Sequence, residues 1–168
     1  QLGILNEIAP RSTGEFYGIG ESIGTYPVGR NKLGSASQYT DNTTSDYILL
    51  ANVDFEVTND FNVKIWNQYV DNIFNSFYIK PAYKISKSLT LEGEWLHQNK
   101  VGDGGSSVDS LRYYNQKTAD VLGLKIGYKN KVGLVSLAYN RILPHGQFIS
   151  PREWGREDLF SFQKRERS

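Results

Sequence analysis

Between residues 46 and 141 the sequence repeats one device, a run of about ten residues that alternates apolar with polar side chains and then ends in a turn signal. Successive side chains of an extended strand point to opposite faces, so each run carries one apolar and one polar face. In the first run Tyr47, Leu49, Ala51, Val53, Phe55 and Val57 share a face, while Asp46, Asn52, Asp54 and Glu56 share the other with Ile48 and Leu50. The second sets Val63, Ile65 and Tyr69, with Asn67 as an exception, against Asn62, Lys64, Trp66 and Gln68. The third sets Phe77, Ile79, Pro81, Tyr83 and Ile85 against Ser76, Tyr78, Lys80, Ala82 and Lys84. Leu89, Leu91, Gly93, Trp95 and His97 then oppose Thr90, Glu92, Glu94 and Gln98. The last two runs oppose Leu122, Leu124, Ile126 and Tyr128 to Gly123, Lys125, Gly127 and Lys129, and Val135, Leu137 and Tyr139 to Leu134, Ser136, Ala138 and Asn140. The expected fold is all-β, an antiparallel up-and-down meander. One stretch is ambiguous: Pro81 cannot donate to a ladder, and Val70, Ile73, Phe74, Phe77 and Tyr78 also fit helical spacing. A short helix there competes with a strand from residue 76.

Composition narrows the function classes. A chain of 168 residues, 39% hydrophobic, forms one domain. With 19 basic against 18 acidic residues the net charge is +1, which removes the electrostatic case for a nucleic-acid partner. The absence of Cys excludes disulfides, thiolate metal sites and a cysteine nucleophile. His97 has apolar-face parity and His145 stands in a loop without a motif, so neither an enzyme, a metal site nor a cofactor is expected. Gly102-Asp103-Gly104-Gly105 with Asp109 lacks the ligand spacing of an EF-hand. The longest apolar run, Tyr47 to Ala51, falls far short of the roughly 18 residues of a transmembrane helix. Membrane strands need only about 9 to 11 residues with alternate ones apolar, so a membrane barrel stays open. The chain starts at Gln1, contains no Met and shows no signal-peptide pattern, so it is expected to be a piece of a longer polypeptide.

The connections read as alternating in length, short at 58–61, 86–88 and 129–131, longer at 70–75, 99–118 and 142–158. Outer-membrane barrels alternate tight inner turns with long outer loops in this way. With the short turns on the inner side, Tyr47, Tyr69, Phe77, Trp95 and Tyr139 lie toward the outer end of their strands and Phe55, Tyr83 and Tyr128 toward the inner end. Aromatic residues at both rims with aliphatic ones between form the girdle expected at headgroup level. Leu49, Val53, Ile65, Ile79, Leu91, Leu124 and Leu137 are then expected to face lipid. The polar face, with Asp54, Glu56, Lys64, Lys80, Glu92, Glu94 and Lys125 among small residues, suits the wall of a water-filled lumen. A soluble sheet packed on one side also alternates, so a soluble or surface β-rich ligand-binding domain, for carbohydrate for instance, is the competing reading.

The segment from Ser150 to Phe162, SPREWGREDLFSF, combines a capping box, Ser150 with Glu153, and Pro151 at the first helical position, which predicts one helical turn. Phe160 and Phe162 then alternate with Ser161, Gln163, Arg165 and Arg167, which predicts a further strand with arginines on its polar face. This motif resembles one carried by a branch of the OprD-like family of outer-membrane porins. The resemblance extends to Pro10-Arg11-Ser12-Thr13, to Gly20-Glu21-Ser22-Ile23-Gly24 with Tyr26-Pro27, and to the strands around Trp66 to Tyr83. It implies a central portion of an 18-stranded barrel for passive uptake of small solutes, with a bilayer around it and an arginine ladder facing acidic groups at a narrow eyelet. Arg152, Arg156, Arg165 and Arg167 are the candidates for that ladder, and their neutralisation is expected to shift ion selectivity toward cations. The chain then divides into a long loop (10–45), the meander (46–141), a loop with a helical turn (142–158) and the start of a next strand (159–168). Nothing in the pattern sets an oligomeric state.

Overall fold

The computed structural model describes residues 1–10, 13–25 and 35–150. It opens with β1 (Leu2–Leu5), a small antiparallel pair β2 (Glu7–Ile8) and β3 (Tyr17–Gly18), and the single-turn helix α1 (Ile19–Ser22). Six long strands follow: β4 (Ile48–Thr58), β5 (Phe61–Val70), β6 (Phe74–Lys84), β7 (Leu89–Lys100), β8 (Thr118–Lys129) and β9 (Leu134–Ile142). They pair antiparallel in chain order, and β1 adds to the free side of β4, so the sheet runs β1-β4-β5-β6-β7-β8-β9 with two edges and does not close. The all-β meander expected from the alternation is the observed fold.

The short turns are each pinned by a side-chain oxygen. Thr58 Oγ1 accepts from the backbone N–H groups of Asp60 and Phe61 at 3.3 and 3.0 Å. Ser86 Oγ does the same for Ser88 and Leu89 at 3.2 and 3.1 Å, and Asn130 Oδ1 for Val132 and Gly133 at 2.9 and 3.0 Å. Ser, Thr and Asn suit such places because their short side chains mimic a turn of backbone.

Residues 70–78 form no helix, and β6 begins at Phe74, two residues earlier than expected. The connection from β5 to β6 is only residues 71–73, so the longer loop anticipated at 70–75 is absent. Asn72, in the left-handed region at φ 56°, closes this turn, and Ile73 is fully buried beside it. Pro81 is accommodated inside the sheet by a lapse in pairing: β6 and β7 are in register at Ile79–Trp95 and again at Ala82–Glu92, with no paired residues between. Gly93 stands opposite, and even a methyl group there would touch the Pro81 ring at 3.5 Å.

At the end of the sheet remote from the short turns, the polar face turns apolar and is covered. Ile48, Val70, Ile73 and Phe74 form a buried cluster with Ile19 and Ile23, from the segment that includes α1, and with Tyr114. A second cluster joins Leu96, Ala119 and Val121 to Phe148. Burial pushes the Tyr114 hydroxyl well above its ordinary pKa, so it remains a donor, directed at the Gln98 carbonyl at 3.3 Å. The loop segments are tied together at Asn72, whose Nδ2 donates to Thr44 O and Oγ1 at 3.2 and 2.8 Å and whose Oδ1 accepts from Asp103 N at 2.9 Å.

Asn72 therefore supplies both a left-handed backbone and three side-chain hydrogen bonds. Asn72→Gly keeps the first and loses the second; Asn72→Ala loses both. The expected cost is about 1–3 kcal/mol for the glycine variant and more for alanine, which strains at positive φ. The order is read from the midpoints of denaturation followed by near-ultraviolet circular dichroism.

Candidate functional site

Register places Asp54, Glu56, Lys64, Lys80, Glu92, Glu94 and Lys125 on one face of the sheet, because directly opposed residues of antiparallel strands share a side: Asp54 faces Lys64, Lys64 faces Lys80, and Glu92 faces Lys125. They divide into a loose pair and a compact group. Lys64 Nζ lies 3.7 Å from Asp54 Oδ2 with both side chains more than half exposed, a contact that contributes about 0–1 kcal/mol. Glu56 stands near the short turn, opposite Asn62 and exposed.

The compact group lies in the middle of the sheet. Glu92 is bracketed by two lysines, Lys80 Nζ 3.4 Å from Oε2 and Lys125 Nζ 3.0 Å from Oε1, one to each oxygen. Two residues along the same strand, Glu94 is only 4% exposed. Tyr78 Oη donates to its Oε2 at 2.9 Å and Asn140 Nδ2 to its Oε1 at 2.6 Å. Gly123 faces Glu94 across the β7–β8 ladder, and an added Cβ would fall inside the contact shell of Glu94 Oε1 and Cγ. The missing side chain is what leaves room for the carboxylate to lie flat on the wall. This arrangement presents paired charges of both signs on one face of the sheet.

The opposite face is apolar and bare. Val53 is 45% exposed, Leu124 56% and Leu137 75%, with Leu49, Phe55, Leu122 and Ile126 similarly open. Ile65, Ile79 and Leu91 are half-buried by neighbours in the sheet, and none belongs to either core cluster. Rings pair toward both ends of this face: Tyr47 stacks with Tyr69 and Phe77 meets Trp95 edge-on at one end, while Phe61 meets Tyr83 near the short turns.

The apolar face is interrupted by the Asn67–Asn75 pair and by a polar cluster around Asp120, which escaped the reading of the sequence. Asp120 lies opposite His97 and accepts from three sides: Trp95 Nε1 at 2.7 Å and His97 Nδ1 at 2.9 Å on Oδ1, His145 Nε2 at 2.8 Å on Oδ2. Two polar residues of apolar-face parity, Asp120 and His97, were the available signal. Among the described residues no set of three His, Asp or Glu side chains is arranged to hold a metal ion, and no helix is long and apolar enough to cross a membrane. Arg152, Arg156, Arg165 and Arg167, with the helical turn and the strand expected around them, lie outside the described residues.

Gly123→Ala is expected to push Glu94 off the wall and break its bonds to Tyr78 and Asn140, at a cost of about 1–3 kcal/mol typical of overpacking. The double variant Gly123→Ala/Glu94→Ala should recover most of that loss. A thermodynamic cycle over the four proteins checks it, with additive effects as the contrary result.

Comparison of the chain with protein-family models, with curated proteins and with solved structures gave no match.

Proposed function

We propose that this chain is part of the wall of a bacterial outer-membrane diffusion porin, a relative of the OprD-like family that its sequence resembles. On this reading lipid covers the apolar face, and the charged face lines a water-filled passage for small polar or ionic solutes. The observation that carries it is the largely exposed apolar face, which extends across β4 to β9 and is interrupted around Asp120, on a sheet whose described loops pack mainly against the other side. Leaving large apolar side chains in water forfeits about 1.5–3 kcal/mol each relative to burial. A sheet packed on one side in water keeps its apolar face under a covering layer. Strands of 11, 10, 11, 12, 12 and 9 residues also match the length that a tilted membrane strand needs. Passage would be passive, governed by width and by local charge on the wall, with no bond made or broken.

The test places a charge in the middle of the bare face. Leu124→Arg and Leu137→Arg should each lower stability in phospholipid vesicles by about 2–4 kcal/mol, the cost of an arginine near the bilayer midplane. In a soluble protein the same exposed positions accept arginine within about 0.5 kcal/mol. A chain that refolds in buffer without detergent or lipid, and tolerates both substitutions, overturns the reading.

A further inference from the structure

The segment that leaves β9 crosses from one face of the sheet to the other within a few residues. Its first backbone N–H, at Leu143, donates to Asp120 O at 2.9 Å, and the His145 ring reaches Asp120 Oδ2 at 2.8 Å on the apolar side. At Gly146 the chain passes so close to Thr118 that a Cβ would overlap its carbonyl oxygen. Gln147 N then donates to Gln116 Oε1 at 2.7 Å, and Phe148 is already buried on the polar side against Leu96, Ala119 and Val121. Ile149 is gripped there by one amide group: Gln98 Nε2 donates to Ile149 O at 2.8 Å, and Ile149 N donates to Gln98 Oε1 at 3.0 Å. Gln98 is itself fully buried and donates to Ser76 Oγ at 2.9 Å.

The geometry points to Asp120 as a positioning residue: from the apolar side of the sheet it holds residues 143–149 as a strap over the rim, and so fixes Phe148 and Ile149 across the polar face. A carboxylate only accepts hydrogen bonds, so both imidazoles donate to it through the nitrogens that face it. Trp95 and His97 hold the carboxylate from β7, which leaves Oδ2 free to receive His145. The Asp120 side chain is 15% exposed, enclosed by its donors, whereas His145 is 47% exposed. The strap lies against the polar face at Leu96 and Gln98, next to the buried Glu94. This inference rests on the reading of the polar face as the lining of a passage, because only then does the placement of Phe148 and Ile149 set its width.

The experiment is hydrogen exchange at the Ile149 amide, measured on the chain in whichever medium it folds, for the wild type, His145→Ala, His145→Gln and Asp120→Ala. His145→Ala and Asp120→Ala should speed exchange at Ile149, on the opposite face from either change, while the β5–β6 amides around Ile65 keep their wild-type rates. His145→Gln retains an N–H that can reach Asp120 and should stay near the wild type. Unchanged exchange at Ile149 in His145→Ala overturns the proposal, and so does equal acceleration in His145→Gln. Should Asp120→Ala not fold, the pair of loop variants at His145 decides the matter. Folding without detergent would count against the bilayer reading but leaves this comparison standing, so the two failures are distinguishable.

Discussion

Antiparallel pairing assigns the side chains of β4 to β9 to one of two faces, and both chemistries of the molecule descend from that assignment. Because the side-chain period along a strand is two, a slip of one residue in any ladder would send Lys125 to the apolar side and Leu124 to the charged one. The register is held by small groups at the turns. Thr58, Ser86 and Asn130 fix one end of the sheet and Asn72 the other, each by hydrogen bonds to backbone a few residues away or on a neighbouring loop. Three short polar side chains and one left-handed asparagine thus keep the two faces from mixing.

The alternation made the six long strands and the membership of both faces legible in the sequence. Other features were hidden for identifiable reasons. β1 is four residues, Leu-Gly-Ile-Leu, too short to show a period, and its pairing with β4 spans a long loop. The helical spacing from Val70 to Tyr78 was real but lost to the turn that Asn72 closes. Ile48 and Leu50 broke the polar pattern of their strand, and Phe74, Leu96 and Val121 stand on the same face of theirs; in the fold these positions lie under the loops. These exceptions to the alternation therefore mark where connections fold back, whereas Leu134, another apolar residue of polar-face parity, is exposed. The bracket around Glu92 needed the register between three strands, which no single run of sequence contains.

In the compact group Lys80 and Lys125 both pair with Glu92 in the middle of the polar face. Glu92 is thus shared by the two lysines, while neutral donors, Tyr78 and Asn140, hold Glu94.

Pro81 and Gly93 sit beside this strip, where the β6–β7 pairing lapses. A ladder with all its rungs resists bending across its width, whereas a stretch without them gives way more easily, as along a crease. The crease runs next to Lys80, Glu92 and Glu94, so the mechanical weak line and the electrostatic centre of the wall coincide. Of the two contacts in the bracket, the one from Lys80 to Glu92 crosses this gap in pairing, and the one from Lys125 crosses the unbroken β7–β8 ladder.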